Sequence, residues 1–154
     1  SHNTASYTDD EVFYLYYGKS YNPDLDKKTK YIKMRGRKVY EFALNHVPAA
    51  MKECLDKANT DISEIKKILI HQANAKMDDA IVRRLYKLFQ KEAPENIMPL
   101  TVDRFGNSSV ATVPTMFDLL VRGKLGDNKI EKGDKIIFAS VGAGLHINAM
   151  EYKI

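Results

Sequence analysis

Apolar residues recur along this chain at two spacings, and each spacing predicts a different element. From residue 37 to about residue 58, Ala43, Val47, Met51, Cys54, Leu55 and Ala58 fall close to one face of a helix. Pro48 lies inside that run. Its ring removes one backbone hydrogen bond and crowds the preceding turn, so a kink or a break is expected there. A second helix is predicted over 75–90, with Met77, Ile81, Leu85 and Leu88 as its apolar stripe and Arg83, Arg84 and Lys87 on the other faces. Asp78 and Asp79 sit in its first turn, where the helix dipole favours negative charge. A third helix is expected over 108–122, capped by Ser108 or Ser109 and ended by Gly123.

Short apolar runs predict strands between these helices. Ile68-Leu69-Ile70 is long enough for a buried strand, and 98–102 reads as another short one. Lys135 to Val141 forms a further run. The small-residue turn Gly142-Ala143-Gly144 then lets 145–154 return antiparallel beside it. Near the N-terminus, Val12-Phe13-Tyr14-Leu15-Tyr16-Tyr17 is aromatic and strand-like, and 18–30, with Asn22-Pro23, reads as a loop. Helices alternating with buried strands predict an α/β layer whose sheet is largely parallel.

Composition narrows the classes. The 154 residues suffice for one domain or half of a two-domain protein, and 44% apolar with 29% charged residues is ordinary for a globular chain. No run of 18 apolar residues occurs, so no membrane span is expected. The first residues carry no basic-then-apolar leader and no initiator Met, which reads as a processed product or a fragment. The single cysteine, Cys54, excludes an internal disulfide and fits a reducing, cytoplasmic setting. Lys and Arg number 24 against 20 Asp and Glu, and they are scattered. With no nucleic-acid motif, a basic binding module is the weaker reading, and a solvated surface accounts for the net charge of +4.

Three loops fall at strand ends or helix starts: His71-Gln72-Ala73-Asn74, Gly106-Asn107-Ser108-Ser109 and Gly142-Ala143-Gly144. In open α/β sheets ligands bind beyond the carboxyl ends of strands, where loop groups and helix N-termini converge. His71 there either exchanges a proton and donates to a ligand, or is satisfied by local backbone. The Asn107 amide either donates to a developing oxyanion or caps the next helix. The Gly142-Ala143-Gly144 turn completes no phosphate-loop fingerprint, although small residues let backbone N–H groups approach a ligand. His46, His71 and His146 are too far apart in sequence for a metal-ligand spacing, so no metal is expected. Cys54, on the predicted buried face, reads as a small hydrophobe.

Taken together, these segments resemble the β-ketoacyl-acyl-carrier-protein synthase III family. The likeness begins at Tyr31-Ile32-Lys33-Met34-Arg35-Gly36-Arg37. It runs through Ile70-His71-Gln72-Ala73-Asn74 and Val102-Asp103-Arg104-Phe105-Gly106-Asn107-Ser108-Ser109, and ends in Gly142-Ala143-Gly144. It covers roughly residues 31–154, with 1–30 left as an N-terminal strand and loop extension. The resemblance implies one half of a five-layered αβαβα thiolase-like fold, with a mixed, mostly parallel sheet flanked by helices. It implies a decarboxylative condensation of an acyl-CoA primer with malonyl-acyl carrier protein, with CoA and phosphopantetheine thioesters as substrates and no resident cofactor. His71 and Asn107 match two members of the family's cysteine-histidine-asparagine triad. The cysteine is expected in an absent N-terminal half of the same polypeptide, which leaves this chain inactive alone.

The resemblance also assigns Ala143, with Gly142 and Gly144, to an oxyanion and acyl pocket. It assigns Asn74, Arg37 and Tyr40 to the CoA or pantetheine arm, and Lys76 to carrier-protein docking. A homodimer is expected of the full-length enzyme. Several departures bear on the primer: Gly-Ala-Gly replaces the usual three glycines, His146 and Asn148 follow it, and Pro48 and the aromatic N-terminal strand are unusual. A paralogue making another lipid or a secondary metabolite is therefore the alternative.

Overall fold

The structure, a computed structural model, describes residues 1–7, 9 and 13–154. Its strands are β1 (His2–Ser6), β2 (Leu15–Lys19), β3 (Lys30–Met34), β4 (Ile65–Ile70), β5 (Lys135–Gly142) and β6 (His146–Lys153). Its helices are α1 (Gly36–Ala58), α2 (Ala75–Leu88), α3 (Val102–Phe105) and α4 (Thr112–Val121), with one-turn 3-10 helices before β4 and α4. The main sheet runs β1-β6-β5-β4, while β2 and β3 form a separate hairpin.

The apolar run of β4 is continuous because both of its faces are buried. Ile68 and Ile70 pack with Val47, Met51 and Leu55 of α1 and Ile81 and Leu85 of α2. Leu69, between them, points the other way onto Met116 and Leu120 of α4. β5 divides in the same manner, Ile137 and Ala139 joining the first cluster and Ile136 and Phe138 the second. The described chain is thus three layers, with helices on both sides of one sheet.

That sheet is mixed, as expected, but not mostly parallel. Only β4 and β5 run parallel, with Ile70 opposite Ala139, and β5–β6 and β1–β6 are antiparallel. The reason lies in the connections. A parallel pair needs a long crossover, supplied here by α2, α3 and α4, whereas the short turn after Gly142 forces β6 to return antiparallel. Strand β1 was not visible in the sequence. Asn3 and Ala5 face inward and His2, Thr4 and Ser6 outward, so the first residues form the edge of the main sheet. The β2–β3 hairpin straddles residue 30. Of the aromatic run, Val12 lies outside the described residues, Phe13 and Tyr14 form a short helical turn, and the strand begins only at Leu15.

Four further expectations are corrected. No break occurs at Pro48: α1 runs unbroken from Gly36 to Ala58 with Pro48 buried. An interior proline costs about 3 kcal/mol, and burying Val47, Met51 and Leu55 at roughly 1.5–3 kcal/mol each outweighs it. Residues 98–102 form no strand, because the backbone N–H groups of Thr101 and Val102 go to the Gln72 side chain instead of to a neighbouring strand. The helix expected over 108–122 starts only at Thr112, after a 3-10 turn, and neither Ser108 nor Ser109 caps it through its side chain. In α2, Leu88 lies 44% exposed, off the stripe formed by Met77, Ile81 and Leu85.

Asp78 is the unexpected member of that helix. It is fully buried, and among the described residues neither carboxylate oxygen has a hydrogen-bond partner. Burial pushes its pKa from 3.8 up to about 7, with the Ala73 backbone opposing the shift. The folded chain therefore holds this proton more tightly than the unfolded chain. The ionisation penalty of Asp78 is absent below the ordinary carboxyl range, and stability falls as pH rises from about 4 through 7. Asp78→Asn is expected to stabilise the fold at pH 8 by about 2–4 kcal/mol more than it does at pH 4, read from urea melts at the two pH values.

Candidate functional site

The parallel pairing of β4 with β5 fixes where the first loop begins. His71 directly follows β4, and its backbone N–H donates to Ala139 O at 3.0 Å, so the ladder continues one residue into the loop. The His71 ring is half-buried. Burial holds its pKa below the ordinary 6.5, and a contact with the Ser109 backbone pulls the other way. A neutral imidazole carries one N–H donor and one acceptor, which suits it to donate to an oxygen without bringing a charge into the site.

Asn107 is presented by a backbone that only glycine tolerates well. Gly106, the residue after α3, adopts φ 63° and ψ −161°, a region that L side chains rarely enter. Asn107 is exposed, and its Oδ1 accepts from Ser109 N at 3.0 Å. That bond consumes the carbonyl end of the amide and orients the Nδ2 donors away from it. Ser109 itself sits at φ 55°. His71 and Asn107, distant in sequence, thus both lie near the backbone of Ser109.

Gln72 joins the same two loops from beneath. It is fully buried, and its Nε2 donates to Pro99 O at 2.7 Å. Its Oε1 accepts from Thr101 N at 2.8 Å, Thr101 Oγ1 at 3.1 Å and Val102 N at 3.0 Å. Gln72 and Thr101 carry no role in the sequence reading. The available signal was an amide inside a motif directly after an apolar strand, where an uncharged polar side chain is buried only if it is satisfied.

The small-residue turn follows β5 at the same end of the sheet. Gly142 lies three residues beyond Ala139, about 10 Å along the strand. Gly142 pairs with His146, which leaves Ala143, Gly144 and Leu145 as the turn. Gly144 has φ 77°, and an added Cβ would lie 3.2 Å from His146 Nε2, so glycine is required there. Ala143 is exposed, whereas Leu145 is buried with φ 50°. Leu145 O accepts from Tyr7 N at 3.1 Å, and the Tyr7 hydroxyl lies 3.1 Å from His46 Nδ1 on α1. The turn is therefore anchored to the N-terminal segment. His146 and Asn148 face outward and pair with Ser6 at 2.7 Å and Thr4 at 2.9 Å, so cross-strand contacts with β1 account for both.

The remaining candidates are more dispersed. Asn74 is exposed and caps α2, its Oδ1 accepting from Met77 N at 2.9 Å. Lys76 is exposed in the first turn of the same helix. Arg37 is spent on Glu41 at 2.9 Å and Tyr40 is 40% exposed, both in the first turns of α1. Among the described residues, no hydrogen bond joins Arg37 or Tyr40 to the His71 or Asn107 loops. Cys54 is fully buried in the core. An open groove between α2 and the 91–100 segment, lined by Arg83, Lys87, Glu92 and Glu95, mixes both charge signs and contains neither His71 nor Asn107. No described helix is long and apolar enough to cross a membrane.

Comparison with known proteins converges on one family. Across 122 residues, 79% of this chain, the sequence is 36% identical to the β-ketoacyl-[acyl-carrier-protein] synthase III of Erythrobacter litoralis. It is 32% identical over 145 residues to that of Lactobacillus helveticus. These matches cover 35% and 41% of the relatives, so the chain spans little more than a third of their length. The crystal structure of the synthase III from Thermus thermophilus superposes with a TM-score of 0.78 at 28% identity, covering 100% of this chain and 45% of that one. The priming β-ketosynthase of the R1128 polyketide pathway shares the fold, with a TM-score of 0.80 at 23% identity over 99% of this chain and 44% of that one. These neighbours bear out the thiolase-like class. The family model for the 3-oxoacyl-[acyl-carrier-protein] synthase III C terminal matches residues 55–154, and the chain belongs to that family.

Proposed function

We propose that this chain supplies the decarboxylation half of a 3-oxoacyl-[acyl-carrier-protein] synthase III active site, with His71 and Asn107 as its two donors. The observation that supports this reading is that the His71 loop, at the carboxyl end of β4, is bonded through Gln72 to the turn that presents Asn107, with Ser109 near both. Loss of carbon dioxide from a malonyl thioester breaks a C–C bond and leaves its electron pair as an enolate. The His71 imidazole N–H and the Asn107 amide stabilise the charge on the thioester oxygen. The carbanion then attacks an acyl thioester on a cysteine, forming the new C–C bond and releasing the thiolate. Cys54 is unsuited to that last role, since it is fully buried. We assign the nucleophile to a part of the polypeptide outside this chain.

The other roles extend the same proposal. The Ala143 N–H serves the oxyanion on the acyl-cysteine, with Gly142 and Gly144 shaping the turn. Asn74, with Arg37 and Tyr40, lines the approach of the CoA or pantetheine arm, and Lys76 receives an acidic carrier protein. The primer is an acyl-CoA, and the Ala143 methyl is the departure that bears on its size. The working enzyme is a cytoplasmic homodimer, a setting compatible with one unpaired cysteine.

Assays of the full-length polypeptide test the reading. Both His71→Ala and Asn107→Ala are expected to slow malonyl-thioester decarboxylation by about 10²–10³-fold, the usual effect of removing one preorganised donor. Normal turnover in the two variants sinks the assignment. Because burial favours the neutral imidazole, an NMR titration of the His71 ring should give a midpoint below 6.5. Gly106→Ala isolates the backbone contribution, because a new methyl there meets nothing within 4 Å. Thermal melts should show a loss of about 1–3 kcal/mol from the positive φ alone.

A further inference from the structure

A buried amide that meets four partners on another loop is more than filler. The side chain of Gln72 reaches from the residue beside His71 to a segment 27 to 30 positions later in the chain. Its oxygen takes the backbone N–H groups of Thr101 and Val102, which open α3. Thr101, at the cap position of that helix, makes no side-chain cap bond of its own and gives its hydroxyl to Gln72 as well. Gln72 therefore satisfies the N–H groups of the cap residue and of the first helical residue, which a local Ser, Thr or Asp cap leaves free. It does so from a different loop.

The consequence follows along the backbone. α3 is a single turn that ends at Gly106, and Asn107 is the next residue. Asn107 in turn holds Ser109 N, and the Ser109 backbone faces the His71 ring. Gln72 thus ties the residue beside His71 to the turn whose end presents Asn107, and acts as a cross-brace between the two loops. We propose that Gln72 is a positioning residue that sets the separation of the His71 and Asn107 donors by capping α3 across the two loops. The inference rests on the function proposed above, and it adds to that function the group that holds the donors in register. An error of about 1 Å in such a register costs on the order of 10²-fold in rate.

The experiment uses the full-length polypeptide and follows two steps separately: acyl-enzyme formation by mass spectrometry and malonyl-thioester decarboxylation. Gln72→Leu keeps the volume and deletes all four bonds. Decarboxylation should fall about 10- to 100-fold, while acylation, which does not use the Asn107 donor, stays within about twofold. Gln72→Glu supplies the same pattern only while protonated, its O–H donating to Pro99 O and its other oxygen accepting from Thr101 and Val102. Its decarboxylation rate relative to wild type should therefore fall as pH rises, whereas a space-filling role gives a ratio independent of pH. If Gln72→Leu does not fold, this pH ratio decides. The inference is overturned by decarboxylation within about threefold of wild type in a folded Gln72→Leu, by equal loss of both steps, or by a pH-independent Gln72→Glu ratio. His71→Ala and Asn107→Ala, run in parallel, separate the two ideas. Their full activity defeats the proposed function, while their inactivity beside fully active Gln72 variants defeats only the brace.

Discussion

Parallel pairing of β4 with β5 is the constraint from which the site's geometry follows. Two strands that run the same way end on the same side, so the His71 loop and the Gly142-Ala143-Gly144 turn emerge together. A parallel pair also requires a long crossover, and that crossover carries α2, α3 and α4, with Asn107 between the last two. The helices must then cover both faces of β4, which is why Ile68, Leu69 and Ile70 are all apolar. Without the parallel pair, the His71 loop and the Gly142-Ala143-Gly144 turn would not leave the sheet at the same end.

The features legible in the sequence are those with strong periodicity or complete motifs. α2 was found from Met77, Ile81 and Leu85, and the β5–β6 hairpin from an apolar run broken by three small residues. What escaped was set by tertiary partners. The sequence His2-Asn3-Thr4-Ala5-Ser6 is too polar to read as a strand, yet it pairs with β6 because Thr4 and Ser6 find Asn148 and His146 across the ladder. Residues 98–102 look like a strand locally, but a side chain from another loop takes their donors. Pro48 looks like a break, but the burial around it lies outside any local rule.

The candidate site divides in the same way. His71 and Asn107 were visible as motif members at strand and helix ends, where geometry makes polar side chains useful. Their common proximity to Ser109 was not visible, because it depends on two backbone conformations, at Gly106 and Ser109, that sequence spacing does not report. Arg37 and Tyr40 show the converse. Motif position suggested them, and in the folded chain Arg37 lies at the surface beside Glu41, apart from the His71 and Asn107 loops.

Burial acts in opposite senses at the two ends of one short segment. At His71 it favours the uncharged base and lowers the pKa; at Asp78 it favours the uncharged acid and raises it. Both groups are therefore pushed towards neutrality within a span of eight residues. For His71 that state suits the proposed role of a donor to a developing oxyanion, since a neutral imidazole brings no charge of its own. For Asp78 the dipole argument favoured a negative charge, but α2 packs against α1 and buries two adjacent stripes, Met77-Ile81-Leu85 and Asp78-Val82-Tyr86. Desolvation outweighs a helix-dipole gain of about 0.3–1 kcal/mol there. The segment carrying His71 is thus kept nearly free of fixed charge on its buried side, as the proposed function requires of donors that meet a charge created only during the reaction.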